Sequence, residues 1–236
     1  MFKLGVVGFF LGPAVDALHN QELLEYAIFP VQIGTSFAVA KTSMLVPPLL
    51  AVAYLLLGGV LPGIAKNLVG EGVWPSPGFL KLSNSQRAVL AVSSTAGIIR
   101  TSAILAHTQG GDWGAPLAAL SAMALAQWLL LDGAAASLAL ASVAAIMGPI
   151  AEIPFTFAGC WEYIQPDYWP LSLLGLGPGS GAGWAGLSSL TGPCYFAVTT
   201  DAIALGRWLA GDLSRCDSSC AQAECHQQPD HPANLP

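Results

Sequence analysis

From Trp113 to Leu131 the chain carries no charged side chain, and from Ala134 to Trp161 it carries one, Glu152. Runs like these leave few folds open. A hydrocarbon layer about 30 Å thick is crossed by roughly 20 apolar residues in a helix. Inside that layer every backbone N–H and C=O must be bonded internally, which a helix does within one segment. Four further runs share this character: Phe2 to Leu18, Met44 to Ala65, Ala88 to Ala106 and Leu190 to Ala210. The sequence therefore predicts an all-α membrane protein, a bundle of six transmembrane helices over residues 1–210 with a disordered polar tail over 211–236. The first run lacks a charged leader and a small-x-small cleavage site, so it reads as a retained span.

Only 9% of residues are charged, against about 25% in an ordinary globular chain. The formal charge of −6 says little, because orientation follows the placement of Lys and Arg. Six spans put Lys3, Lys66, Lys81, Arg87, Arg207 and Arg215 on one side and Lys41 on the other, which predicts that both termini are cytosolic. The basic residues form no cluster, which excludes nucleic acid as a partner.

The connections are read as loops. His19 to Lys41 is a mixed segment whose Tyr26, Phe29 and Phe37 suit the interface. Glu162 to Ser189 is rich in Gly, Pro and Trp, and its Gly175 to Gly186 stretch is a flexible linker: it follows no strand and lacks the lysine of a phosphate loop. Pro47 and Pro48 fall in the first turn of span two, where a missing N–H does no harm. Small residues crowd the first half of span five and let neighbouring helices approach closely.

Ionisable groups within spans cost roughly 2.5–3.5 kcal/mol each on insertion scales, so they mark function or a pairing partner. Four stand out: Arg100, Asp132, Glu152 and Asp201. Arg100 is expected to pair with Glu152 or Asp201 across the bundle, or to snorkel to the interface. Asp132, before Gly133, suits a capping role at the turn into span five. Pro154 frees a backbone carbonyl near Glu152, and a kink there would open onto a cavity or serve structure alone. A second reading makes Arg100, Glu152 and Asp201 the lining of a polar path in a small transporter or channel; that reading calls for an internal repeat, and none is evident.

No enzyme signature appears. His19, His107, His226 and His231 make no metal-ligand pattern within a span, and HExxH, P-loop and GxSxG motifs are missing. No catalytic residue, cofactor or metal is therefore expected. Cys160 and Cys194 suit packing. Cys216, Cys220 and Cys225 in the tail read as free thiols, with palmitoylation or metal binding as alternatives.

Short strings in order along the chain carry a resemblance. They are Gly5 to Gly12 (GVVGFFLG), Val46-Pro47-Pro48, Leu61-Pro62 with Lys66-Asn67-Leu68, Gly97-Ile98, and Ser102-Ala103. Leu117 to Ser121 (LAALS) follows, then Trp128 with Asp132 four residues on, Tyr163 with Pro166-Asp167-Tyr168, Pro193-Cys194, and Gly206-Arg207 with Leu209. Over Phe2 to Leu209 the chain resembles the Insig family, sterol-responsive regulators of the endoplasmic reticulum membrane. The resemblance implies a non-enzymatic protein that binds oxysterols within its bundle. It also implies partners with sterol-sensing domains: an escort protein that is retained, and a sterol-synthesis reductase that is presented for degradation. Trp128 and Asp132, one helical turn apart, are the implied partner-binding residues. The lipid cavity is expected among spans one, three, four and five, with Thr95, Ile98, Trp128 and Glu152 as lipid contacts and homo-oligomers possible. The chain departs from the family at Trp128-Leu129, where two Trp are usual, at Ser94-Thr95, where an aromatic is usual, and at Ile99-Arg100, where Asn-His is usual.

Overall fold

The computed structural model describes residues 1–18, 22–35, 38–69, 82–108, 112–175 and 186–225. Helices form where the apolar runs lie: α1 (Phe2–Asp16), α2 (Val46–Leu55), α3 (Leu61–Val69), α4 (Asn84–Thr108), α5 (Gly114–Leu131), α6 (Ala135–Phe157) and α7 (Thr191–Cys225). A π-helical turn, Leu56–Val60, joins α2 to α3. Among the described residues, four segments are long and apolar enough to cross a membrane: Val46–Asn67, Asn84–His107, Gly114–Leu131 and Ala135–Phe157. Helix α1, at 15 residues, falls short of the roughly 20 needed, and α7 carries Asp201 and Arg207. The outward faces are bare hydrocarbon: Phe10 is 72% exposed, Val89 68% and Ile146 65%. On a soluble protein such faces would be an aggregation hazard; in lipid they are the solvated surface.

Helix α7 is the hub. It packs against α4, α5, α6 and the π-turn, while α1 lies along α2. Two glycines make the π-turn contact possible. A Cβ on Gly58 would sit 2.2 Å from the Ala202 carbonyl oxygen, and one on Gly206 would sit 2.1 Å from that of Gly58. The two backbones therefore touch directly, the small-residue mode of helix association in lipid.

The connections differ from the sequence expectation. The segment read as an interfacial loop holds three strands: β1 (Leu24–Tyr26), β2 (Pro30–Thr35) and β3 (Ala38–Ser43). Strands β2 and β3 pair antiparallel. Strand β1 pairs antiparallel with β4 (Trp161–Tyr163), setting Leu24 opposite Tyr163 and Tyr26 opposite Trp161. Within Glu162 to Ser189 lie the end of β4, a 3-10 turn (Pro170–Leu174) and a bridge between Tyr168 and Leu187. Residues 176–185 of the glycine-rich stretch lie outside the described residues, as do His19, His226 and His231. The α7 backbone stays helical through 211–225, a segment where a disordered tail is expected; residues 226–236 lie outside the described residues.

Candidate functional site

Strands β1 and β4 cover the end of the bundle where α1 and α6 finish and α2 and α7 begin. Beneath them lies a cavity of about 140 Å³. Its walls are largely apolar, with Val15 from α1, Leu24 from β1, Val46, Leu50 and Ala53 from α2, and Val198 from α7. Along α7 the lining residues Thr191, Cys194, Tyr195 and Val198 follow the three-and-four spacing of one helical face.

The polar residues of the cavity are organised around carboxyl groups. Glu152, only 7% exposed, extends from α6. Its Oε2 accepts from the Tyr163 hydroxyl at 2.5 Å and from Trp161 Nε1 at 3.3 Å, and its Oε1 accepts from the Tyr195 hydroxyl at 2.7 Å. The Tyr163 oxygen in turn accepts from Thr191 Oγ1 at 3.1 Å. Trp161 and Tyr163 reach the same carboxylate because strand residues two apart share a face; Glu162 between them is exposed. Trp161 is held in place by Phe155, stacked at 5.0 Å, and by Tyr26, edge-on at 6.0 Å. On the α1 side the Tyr26 hydroxyl donates to Asp16 Oδ2 at 2.5 Å. Burial pushes the Tyr26 phenol well above its ordinary range, and the Asp16 carboxylate pushes it further. Burial does the same to Tyr163, reinforced by Glu152.

Of the expected lipid contacts, Glu152 lines this cavity. Thr95 and Ile98 are buried elsewhere in the bundle. Thr95 Oγ1 accepts from Gln127 Nε2 at 2.9 Å and donates to the Ala197 carbonyl at 3.3 Å, tying α4, α5 and α7 together. Among the described residues the cavity is lined from α1, α2, the π-turn, α6, α7 and the two strands, with Ile99 as the contribution of α4 and none from α5. Helix α2 supplies one wall because it packs along α1.

At the opposite end of the bundle Trp128 and Asp132 meet at the α5–α6 turn. Trp128 Nε1 donates to the Ala134 carbonyl and to Ser137 Oγ, both at 3.1 Å. Asp132, 5% exposed, accepts from the Ala134 N–H at 2.7 Å and pairs with Arg207 of α7 at 3.0 Å. Gly133 takes a positive φ of 65° to close the turn, a conformation that glycine adopts without penalty.

The expected partnership of Arg100 is corrected. Its guanidinium pairs with Glu22 at 2.6 Å, with side chains 48% and 31% exposed. An exposed partner spares the pair the desolvation that Glu152 or Asp201 would have imposed. Asp201 instead accepts from the Tyr54 hydroxyl at 2.6 Å, fully buried between α2 and α7. Arg100, Glu152 and Asp201 thus have separate partners and do not form one polar path. The residues that sequence reasoning missed are the donors to Glu152. Trp161-Glu162-Tyr163, alternating aromatic and charged after a span, was the signal for two of them; Tyr195, inside the last apolar run, had none.

The described elements make a multi-pass helical membrane protein whose fold is that of a solved Insig homolog. The chain is similar over 87% of its length to the crystal structure of MvINS, a mycobacterial Insig homolog from Mycobacterium vanbaalenii, covering 93% of that chain at 22% identity with a TM-score of 0.60. It is likewise similar to the crystal structure of a cross-linked MvINS trimer, over 89% of this chain and 95% of that one, at 23% identity with a TM-score of 0.61. At these identities the likeness is one of fold. No family model and no curated protein matches the chain.

Proposed function

We propose that this protein is a non-enzymatic membrane regulator that binds a sterol or oxysterol in the cavity between α1, α2 and α7. The observation that carries the reading is the cavity itself: apolar walls at the bundle end, closed by a carboxylate ringed with three donors. A volume near 140 Å³ admits one end of a lipid, its polar head and adjoining carbons. The remainder lies along the lipid-facing side of α2, where Leu49 is 37% and Val52 54% exposed.

Regulation requires that ligand favour one helix arrangement over another; equal affinity for both shifts nothing. The movable contact is α1–α2 against α7, and the readout is the far turn, where Trp128 and Asp132 would meet a sterol-sensing-domain protein such as an escort protein or a sterol-synthesis reductase. By linkage that partner tightens lipid binding to the same degree. The reading takes α1 and α7 as further spans, giving six with both termini cytosolic, in the endoplasmic reticulum membrane as the sequence resemblance implies. It takes assembly to be a homotrimer, in keeping with the trimer of the similar fold.

The test is photolabelling of the purified protein with a crosslinkable oxysterol, with unlabelled oxysterol and diacylglycerol as competitors. Saturable labelling displaced by oxysterol supports the reading. Displacement by diacylglycerol alone replaces the ligand, and no saturable labelling of folded protein removes the sterol reading.

A further inference from the structure

The cavity's polar lining has an uneven inventory of donors and acceptors. The phenol protons of Tyr163 and Tyr195 are given to Glu152, that of Tyr26 to Asp16, and that of Tyr54 to Asp201. The Thr191 hydroxyl proton goes to Tyr163. Each of these side chains lines the cavity except Asp201, which lies behind Tyr54. A phenol that has donated its one proton keeps only acceptor lone pairs, and an ionised carboxylate offers nothing else. The described lining residues include no Lys, Arg or His, and Arg100 is held by Glu22. What the described lining offers an incoming molecule is therefore a set of acceptors grouped around the Glu152 carboxyl.

Resting on the reading of this cavity as a lipid site, we infer that it selects its lipid by the head group: a head that donates hydrogen bonds, a hydroxyl or an ammonium, is held by Glu152 and its phenols, and anionic heads are rejected. A hydroxyl places its proton on a remaining lone pair of Glu152 or of a Tyr oxygen. An ammonium does the same with more than one proton to give. A carboxylate or sulfate head brings acceptors to acceptors in a site of low dielectric, where leaving groups unpaired is costly. Ester carbonyls gain nothing there either. Glu152 is accordingly a specificity residue, reading the head, while the apolar walls tolerate a range of bodies.

The experiment uses three photoreactive sterols identical except at the 3-position, which carries a hydroxyl, an amine or a sulfate. Each is applied to the purified full-length protein in neutral detergent at pH 7.5, and labelled peptides are quantified by mass spectrometry. The alcohol and the amine are expected to label peptides of α1, α2 and α7 at least about tenfold more than the sulfate. Glu152→Gln, checked by its elution profile and melting temperature, is expected to bring the three within about twofold, because the amide presents donors as well as an acceptor. Equal labelling by all three in the unmodified protein overturns head-group selection while leaving the lipid site standing. No labelling of the cavity by any of them overturns the lipid reading as well. Should Glu152→Gln fail to fold, the ratio in the unmodified protein still decides.

Discussion

Tyr54→Phe removes one hydroxyl from between α2 and α7, and its cost is set by what it leaves behind. That hydroxyl donates to Asp201 Oδ2 at 2.6 Å, with both side chains 1% exposed. Asp201 Oδ1 has no hydrogen-bond partner among the described residues, so the Tyr54 bond is what the carboxyl has. An interhelical hydrogen bond in lipid contributes about 0.6 kcal/mol on average and about 1.7 at most. A bond of 2.6 Å buried on both sides belongs near the top of that range. Orphaning a buried polar group costs about 1–3 kcal/mol, so Tyr54→Phe should destabilise by about 2 kcal/mol. Asp201→Leu should cost a similar amount, by orphaning the phenol instead. The double variant removes both polar groups and should cost hardly more than either single change, a coupling of about 1.5 kcal/mol. Equilibrium unfolding in mixed micelles, with dodecyl sulfate as denaturant and helical circular dichroism as readout, measures all three. A double variant whose loss equals the sum of the singles to within about 0.5 kcal/mol would refute the argument.

The backbone contact of the π-turn makes a paired prediction. Gly206→Ala forces a methyl to 2.1 Å from the Gly58 carbonyl oxygen and should cost about 1–3 kcal/mol. Gly97→Ala, which meets nothing within 4 Å, should be neutral or stabilise by up to about 1 kcal/mol. Thermal melts in detergent compare them. Asp132→Ala removes the carboxylate from the Ala134 N–H and from Arg207, and should lower stability by about 1–3 kcal/mol; on the proposed reading it weakens capture of a partner while sterol labelling persists. The raised Tyr26 and Tyr163 phenols fix an alkaline limit. The unfolded chain releases these protons near pH 10 and the folded one later, so stability holds below about pH 10 and falls as pH rises beyond it. Melting temperatures between pH 7 and 11 check this, and Tyr26→Phe should make the alkaline decline shallower.

The helices were legible because lipid asks for long uncharged runs, and α4, α5 and α6 lie close to where those runs put them. The strands were not. Strands β1 and β4 are each three residues long, too short for a period-two pattern to rise above an interfacial mixture of aromatic and charged residues. Glu152 was legible as an isolated carboxylate in a span, but its donors come from β4 and α7, elements whose approach to α6 is decided by packing. Arg100 illustrates the same limit from the other side. A charge in a span invites a partner in another span, yet the segment before β1 brings Glu22 to it. Thr95 and Ile98 are expected lipid contacts on the family resemblance alone, and their spacing in the sequence says nothing of what they touch. Both side chains are buried in the bundle, Thr95 bonds to α7 and α5, and Ile99 reaches the cavity. Asp132 and Trp128 lie one turn apart, as their spacing requires, and their hydrogen bonds close the α5–α6 turn.

The central claim is that a lipid occupies the cavity between α1, α2 and α7, and labelling of two tryptophan variants tests it most directly. Ala53→Trp fills the cavity from its α2 wall, whereas Val143→Trp adds the same bulk to an outward face where Val143 is 56% exposed. Saturable labelling by a photoreactive oxysterol should be lost in Ala53→Trp and retained in Val143→Trp, with both variants folded by circular dichroism. Undiminished labelling of Ala53→Trp, or equal loss in both, would contradict the account.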